Sequence, residues 1–103
     1  MGGMPAGRSA FRLRPKARAD LEGIWLYTAE HWSPDQADIY HNRIIDILTG
    51  LASGRIRGRS AEHVREGYLK HLAGSHVIYF RAADYGIEIV RILHGRMDVE
   101  RHL

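Results

Sequence analysis

Gly67-Tyr68-Leu69-Lys70-His71-Leu72, Gly74-Ser75-His76-Val77-Ile78-Tyr79-Phe80-Arg81 and Gly86-Ile87-Glu88-Ile89-Val90-Arg91-Ile92-Leu93-His94 decide the fold between them. These are three runs rich in β-branched and aromatic residues, parted by Gly74-Ser75 and by Asp84-Tyr85-Gly86, residue types that reverse a chain. They read as strand, turn, strand, turn, strand. A charged tail, Gly95-Arg96-Met97-Asp98-Val99-Glu100-Arg101-His102-Leu103, leaves directly from the last strand.

Upstream, Phe11-Arg12-Leu13-Arg14 alternates apolar and basic residues, the period of a half-buried strand, and Pro15 ends it. From Lys16 the period changes. Ala17, Leu21, Ile24, Trp25, Thr28 and Trp32 recur at three- and four-residue steps, one stripe of a helix. Ser33-Pro34-Asp35-Gln36 then marks a second helix start. Ser33 can accept from the Gln36 amide, Pro34 fits the first helical position, and Asp35 suits the positive end of the dipole. Ala37, Tyr40, Ile44, Ile47, Leu48 and Leu51 form its stripe to about Ser53, and Gly54-Arg55-Ile56-Arg57-Gly58-Arg59-Ser60 reads as a basic loop. The order strand, helix, helix, strand, strand, strand makes the class α+β. A helical hairpin should pack on one face of an antiparallel-rich sheet, with the N-terminal strand at an edge and the other face concave and partly open.

A chain of 103 residues has the size of one domain, here placed over residues 10–103, with residues 1–9 read as a disordered leader. The leader has neither an early positive cluster nor an apolar core, so it is no secretory signal, and no apolar run approaches membrane-spanning length. The expected location is the cytoplasm. With no cysteine, disulfides, thiolate nucleophiles and cysteine zinc sites are excluded. Residues 1–53 balance 6 Lys/Arg against 6 Asp/Glu, whereas residues 54–103 hold 9 against 6, so the whole excess of +3 sits on the second half. That places a weak electrostatic preference for an acidic or phosphate-bearing partner there.

Seven histidines invite a metal, but none fall at the steps of a helical zinc site, and no carboxylate cluster joins them, so neither a metal nor another cofactor is expected. His71 and His76 flank a turn and could face each other across it. No serine sits in a Gly-x-Ser-x-Gly elbow, and no glycine loop precedes a helix to cradle phosphate. What remains is metal-free phosphodiester chemistry or contact with nucleic acid. The former needs an acid, a base and cations. Arg81, Arg91, Arg96, His94 and His102 could converge for it, with Arg65, Tyr68 and Lys70 contributing from the first run; equally, the arginines could face solvent or pair with Glu88, Asp98 and Glu100.

The segments Gly67-Tyr68, Gly74 to Arg81 and Ile89-Val90-Arg91-Ile92-Leu93-His94-Gly95-Arg96-Met97-Asp98 resemble the ParE toxins of bacterial toxin–antitoxin systems. Pro15-Lys16-Ala17, Ala19-Asp20-Leu21, Ile24-Trp25 and Tyr27, followed by Trp32 and Gln36-Ala37, are similar to that family's helical hairpin. The resemblance runs from Phe11 to Leu103 and implies the RelE/ParE fold, β-α-α-β-β-β. It implies a non-enzymatic inhibitor that binds DNA gyrase, is neutralised by a ParD-type antitoxin, and needs no specific nucleic-acid contact of its own. The related RelE branch instead cleaves messenger RNA on the ribosome; under that alternative the catalytic set would be Arg81, Arg96 and His102. Val77, however, stands where that branch carries a catalytic arginine.

Within the gyrase reading, Arg96, Met97, Asp98, Arg101 and His102 are the expected target-binding residues, since charge and a flexible apolar side chain meet there; the alternative is a tail that covers a sheet edge. On a helical wheel Leu26 and Ile39 fall opposite their stripes. Each either fills a second buried direction of the hairpin or lies under the antitoxin.

Overall fold

A computed structural model describes residues 10–103, so the leader assigned to residues 1–9 lies outside the described residues. The elements are β1 (Ala10–Leu13), α1 (Pro15–His31), α2 (Pro34–Ser53), β2 (Arg59–Ser60), β3 (Leu69–Ala73), β4 (His76–Ala83), β5 (Gly86–His94) and α3 (Val99–His102). The fold is α+β, with two helices packed on a mixed five-stranded sheet of order β1-β5-β4-β3-β2. Among the described residues, no helix is long and apolar enough to cross a membrane.

Local chemistry sets these boundaries. Pro15 opens α1 as its first residue, where a missing N–H is harmless. Ser33 caps α2 by accepting from the Gln36 amide at 3.0 Å, and Gly54 closes it at φ 82°, a left-handed conformation that favours glycine. The hairpin's apolar stripes meet the sheet in a core whose fully buried members include Ile44, Leu48, Ile78 and Ile89. Each such side chain stabilises the fold by roughly 1.5–3 kcal/mol. Trp32 departs from its expected stripe. It is the residue that ends α1 and is 77% exposed, because the turn to Ser33 carries it out of the helical phase.

Two expectations about the second half need correction. The basic loop contains β2, a two-residue edge strand paired antiparallel with β3. Arg59 lies opposite Lys70, a like-charge pair that limits further pairing and blunts the edge. Nor is the second sheet face open. Ile78 and Phe80 of β4 join the helix-side core, while Val77 and Tyr79 point the other way into a second cluster. There Ala61, Tyr68, Tyr79, Val90 and Leu93 are covered by Val64 from the 61–68 loop and by Val99 and Leu103. The tail is thus partly structural: residues 99–102 form a helical turn.

The register of β4 and β5 decides what lies at the end of the sheet. Phe80 pairs with Ile89, but Tyr79 pairs with Arg91, so Val90 is the extra residue of a bulge. Past it the pairing is displaced by one, and His76 comes opposite His94. On the other side β1 runs parallel to β5 only as far as Leu13 and Ile89. Beyond that point β5 has no strand neighbour on the β1 side, where α1 crosses its edge.

Candidate functional site

Where β1 stops, Asp20 of α1 takes over the hydrogen bonding of β5. One carboxylate oxygen accepts from the Ile92 amide at 2.9 Å, and both accept from the Arg91 guanidinium at 2.7 and 2.8 Å. The pair is mostly buried, at 15% and 14% side-chain exposure. Hydrogen bonding to Asp20 holds the Arg91 guanidinium above its ordinary pKa, so it stays charged. A remaining N–H of Arg91 donates to the His102 carbonyl at 2.7 Å. One ion pair therefore ties together the first helix, the last strand and the tail.

Above this tie lies a groove of about 850 Å³ between the second half of α1, the start of α2 and the end of β5. Its floor is Ile24 and Ile92, its aromatic wall Tyr27, Trp32 and Tyr40, and its far side His76, His94, Arg96 and Met97. The Tyr40 hydroxyl organises that side. It lies 2.9 Å from the Ala73 carbonyl, 3.2 Å from the Ser75 amide and 2.8 Å from His76 Nδ1. Gly74 permits this approach, for at φ 60° it turns the chain where any Cβ would strike the Tyr40 ring. The His76 and His94 rings meet edge to face at 5.3 Å, and the Arg96 amide donates to His94 Nδ1 at 3.1 Å. Burial first, then the neighbouring His94, pushes the His76 pKa down, which favours the neutral ring.

The residues singled out from sequence separate into groups. Arg96 and Met97 stand together on the exposed turn after β5 and line the groove. Asp98 caps α3 by accepting from the Glu100 amide at 3.2 Å and lies 3.6 Å from Arg101, with both side chains exposed. His102 is half-buried and is held by its backbone carbonyl. Arg81 is elsewhere. It stands opposite Glu88, 3.8 Å away, at the other end of β4. Five residues of strand, roughly 16 Å, part it from the row of His76 and His94, so Arg81 does not meet Arg96. His71 and His76 do not face each other either, since His71 pairs with Ile78 and His76 with Ala73 and His94.

Leu26 and Ile39 are 58% and 53% exposed on the hairpin, which removes the core alternative for both. Leu26 borders a second hollow shared with Leu13, Trp25 and His41, where Trp25 Nε1 donates to Asp38 across the hairpin at 2.8 Å. Asp20, Tyr40 and Trp32 are site residues that motif reading missed. None belongs to a chemical motif, and only strand register and helix crossing bring them together.

Comparison with known proteins bears on this arrangement. The family model described as ParE toxin of type II toxin-antitoxin system, parDE, matches residues 11–99. The toxin ParE1 of Mycobacterium tuberculosis is 41% identical over 96 residues, covering 92% of this chain and 98% of that protein. The toxin ParE1 of Caulobacter vibrioides is 34% identical over 93 residues, covering 90% of this chain and 96% of its own length. A solved structure described as the chromosomal ParDE TA system from P. aeruginosa shares the fold at a TM-score of 0.72 and 22% identity, covering 85% of this chain and 97% of that one.

Proposed function

We propose, from the premise that this chain belongs to the ParE family of type II toxin–antitoxin toxins, that it arrests growth by binding DNA gyrase and is silenced by a ParD-type antitoxin. The supporting observation is how the segment after β5 is held. Val99 and Leu103 are packed into the second cluster and Arg91 grips the His102 carbonyl, while Arg96, Met97, Asp98 and Arg101 remain exposed between anchors. A presented loop of mixed charge with one flexible apolar side chain suits contact with a protein target. It acts by occupancy, with no bond made or broken.

The ribonuclease alternative draws no support from the same residues. Arg81 stands apart from Arg96, and Val77 packs in the second cluster where a phosphate-binding arginine would be needed. For the antitoxin, exposed Leu26 and Ile39 on the hairpin supply apolar anchors for a segment that folds on binding. Purified gyrase supercoiling, run beside ribosome-dependent RNA cleavage, tests the proposal. Inhibited supercoiling with intact RNA is expected, and Arg96→Ala with Met97→Ala should abolish the inhibition. Codon-specific cleavage with unaffected gyrase would overturn it.

A further inference from the structure

Counting protons around Tyr40 defines the chemistry of the groove. The hydroxyl has one proton, and of its three neighbours only the Ala73 carbonyl is purely an acceptor. Tyr40 therefore donates to Ala73 and accepts from the Ser75 amide and from His76. His76 must then carry its proton on Nδ1, which leaves Nε2 with a free lone pair. His94 is fixed the opposite way. Its Nδ1 accepts from the Arg96 amide, which places a ring proton on Nε2. Two adjacent imidazoles thus offer complementary ends, one an acceptor and one a donor, with the Arg96 guanidinium lining the same groove. None of these three groups is in an ion pair among the described residues.

Opposite them the wall is aromatic. Trp32 is 77% and Tyr27 60% exposed, and Tyr27 already stacks on His31 at 3.8 Å between ring centroids. Exposed aromatic faces beside a cation offer a stacking surface and a charge together, the two contacts a planar anionic ligand uses. Asp20, the one carboxylate lining the groove, is neutralised by Arg91, so nothing there repels an anion.

We propose that this groove is a binding site for a nucleoside phosphate. The base stacks on Trp32 and Tyr27, a phosphate oxygen accepts hydrogen bonds from His94 Nε2–H and from the Arg96 guanidinium, and a sugar hydroxyl donates to His76 Nε2. The volume of about 850 Å³ is ample for one nucleotide, within the roughly 300–1,000 Å³ of typical ligand sites. Stacking and phosphate contact together make the site tolerant of base identity. The ligand could be a free mononucleotide or one unit of a single strand. This inference does not depend on gyrase as the target.

The full chain is titrated near neutral pH with uridine monophosphate, uridine, inorganic phosphate and a uridine hexanucleotide. Tryptophan fluorescence and the imidazole proton–nitrogen correlation spectrum report binding. Uridine monophosphate should saturate and shift the His94 Nε2 signal, with uridine and phosphate each at least tenfold weaker. Trp32→Ala, at an exposed position, should weaken the nucleotide roughly tenfold while leaving phosphate unchanged, and Arg96→Ala should weaken both. A hexanucleotide bound more than tenfold tighter than the monophosphate assigns the site to a strand; equal affinity assigns it to the free nucleotide. Inorganic phosphate binding as tightly as the nucleotide, no saturation by about 10 mM, or a Trp32→Ala variant that binds like the parent would each overturn the proposal.

Discussion

Replacing Asp20 with Ala should be among the most damaging changes available in this fold, although Asp20 lies outside the hydrophobic core. The substitution leaves the Arg91 guanidinium without its counter-ion and the Ile92 amide without an acceptor. Removing one partner of a fully buried ion pair costs about 3–5 kcal/mol. Here each side chain keeps about a seventh of its exposure, so water softens the loss to roughly 2–3 kcal/mol. The orphaned amide adds about 1 kcal/mol. A total near 3–4 kcal/mol lowers Tm by roughly 15–25 °C in a domain of this size. Asp20→Asn keeps an acceptor for the Ile92 amide but loses the charge, and should cost about half as much. Thermal melts of Asp20→Ala, Arg91→Ala and the double variant form the assay. A coupling of about 1.5 kcal/mol or more is expected, because both single changes break the same tie. If Asp20→Ala shifts stability by less than about 1 kcal/mol, or the two changes simply add, the tie does not hold the sheet edge as reasoned.

Leu26→Asp and Ile39→Asp should each weaken the antitoxin complex at least tenfold by titration, while the free toxin's stability stays within about 0.5 kcal/mol, since both positions are exposed. His102→Gln should retain most growth arrest in culture, for the tie uses the backbone carbonyl and a lost side-chain hydrogen bond is worth only about 0.5–1.5 kcal/mol. The His76 ring has its pKa lowered in the fold, so the unfolded chain binds more protons below the ordinary histidine value near 6.5. The stability from His76 is therefore present above that value and lost as pH falls through the folded one. Melting temperatures should drop from about pH 7 to pH 5, and less steeply in His76→Gln. Glu88, whose pKa is lowered first by its hydrogen bond to Arg14, adds a separate loss only in the acid range below about pH 4.3.

The helices, the three long strands and their order are legible because each has a period and a punctuation mark: Pro15, Ser33-Pro34, Gly54, Gly74 and Gly86. β2 is not legible, since two polar residues, Arg59 and Ser60, have no period at all. The second cluster escapes for another reason. Val64, Val99 and Leu103 look like isolated apolar residues in polar surroundings, and only the sheet's reverse face groups them. The groove depends on a single bulge. Continued from the Asp84-Tyr85 turn, the regular register would set His76 against Leu93; the extra Val90 moves it to His94. No residue type in Tyr79-Phe80 or Ile89-Val90-Arg91 announces that displacement. It follows from packing, with Val90 needed in one cluster and Ile89 and Ile92 in the other. Leu26 and Ile39 are visible as departures from their stripes, and their exposure in the fold removes the buried reading.

The pairing of the first strand with the last has a kinetic meaning. Ala10 partners Gly86 across 76 positions (86 − 10), in parallel, while everything between them is either a helical hairpin or a meander of near neighbours. Local pieces can form on their own, but this contact must wait for the most distant segment and for the entropy of closing the whole loop. On the ribosome, α1 and α2 emerge with Ala17, Leu21, Ile44 and Leu48 bare, because the strand that covers much of their stripe is made last. The edge of the sheet and the tie at Asp20 are therefore completed only once the last strand has been made.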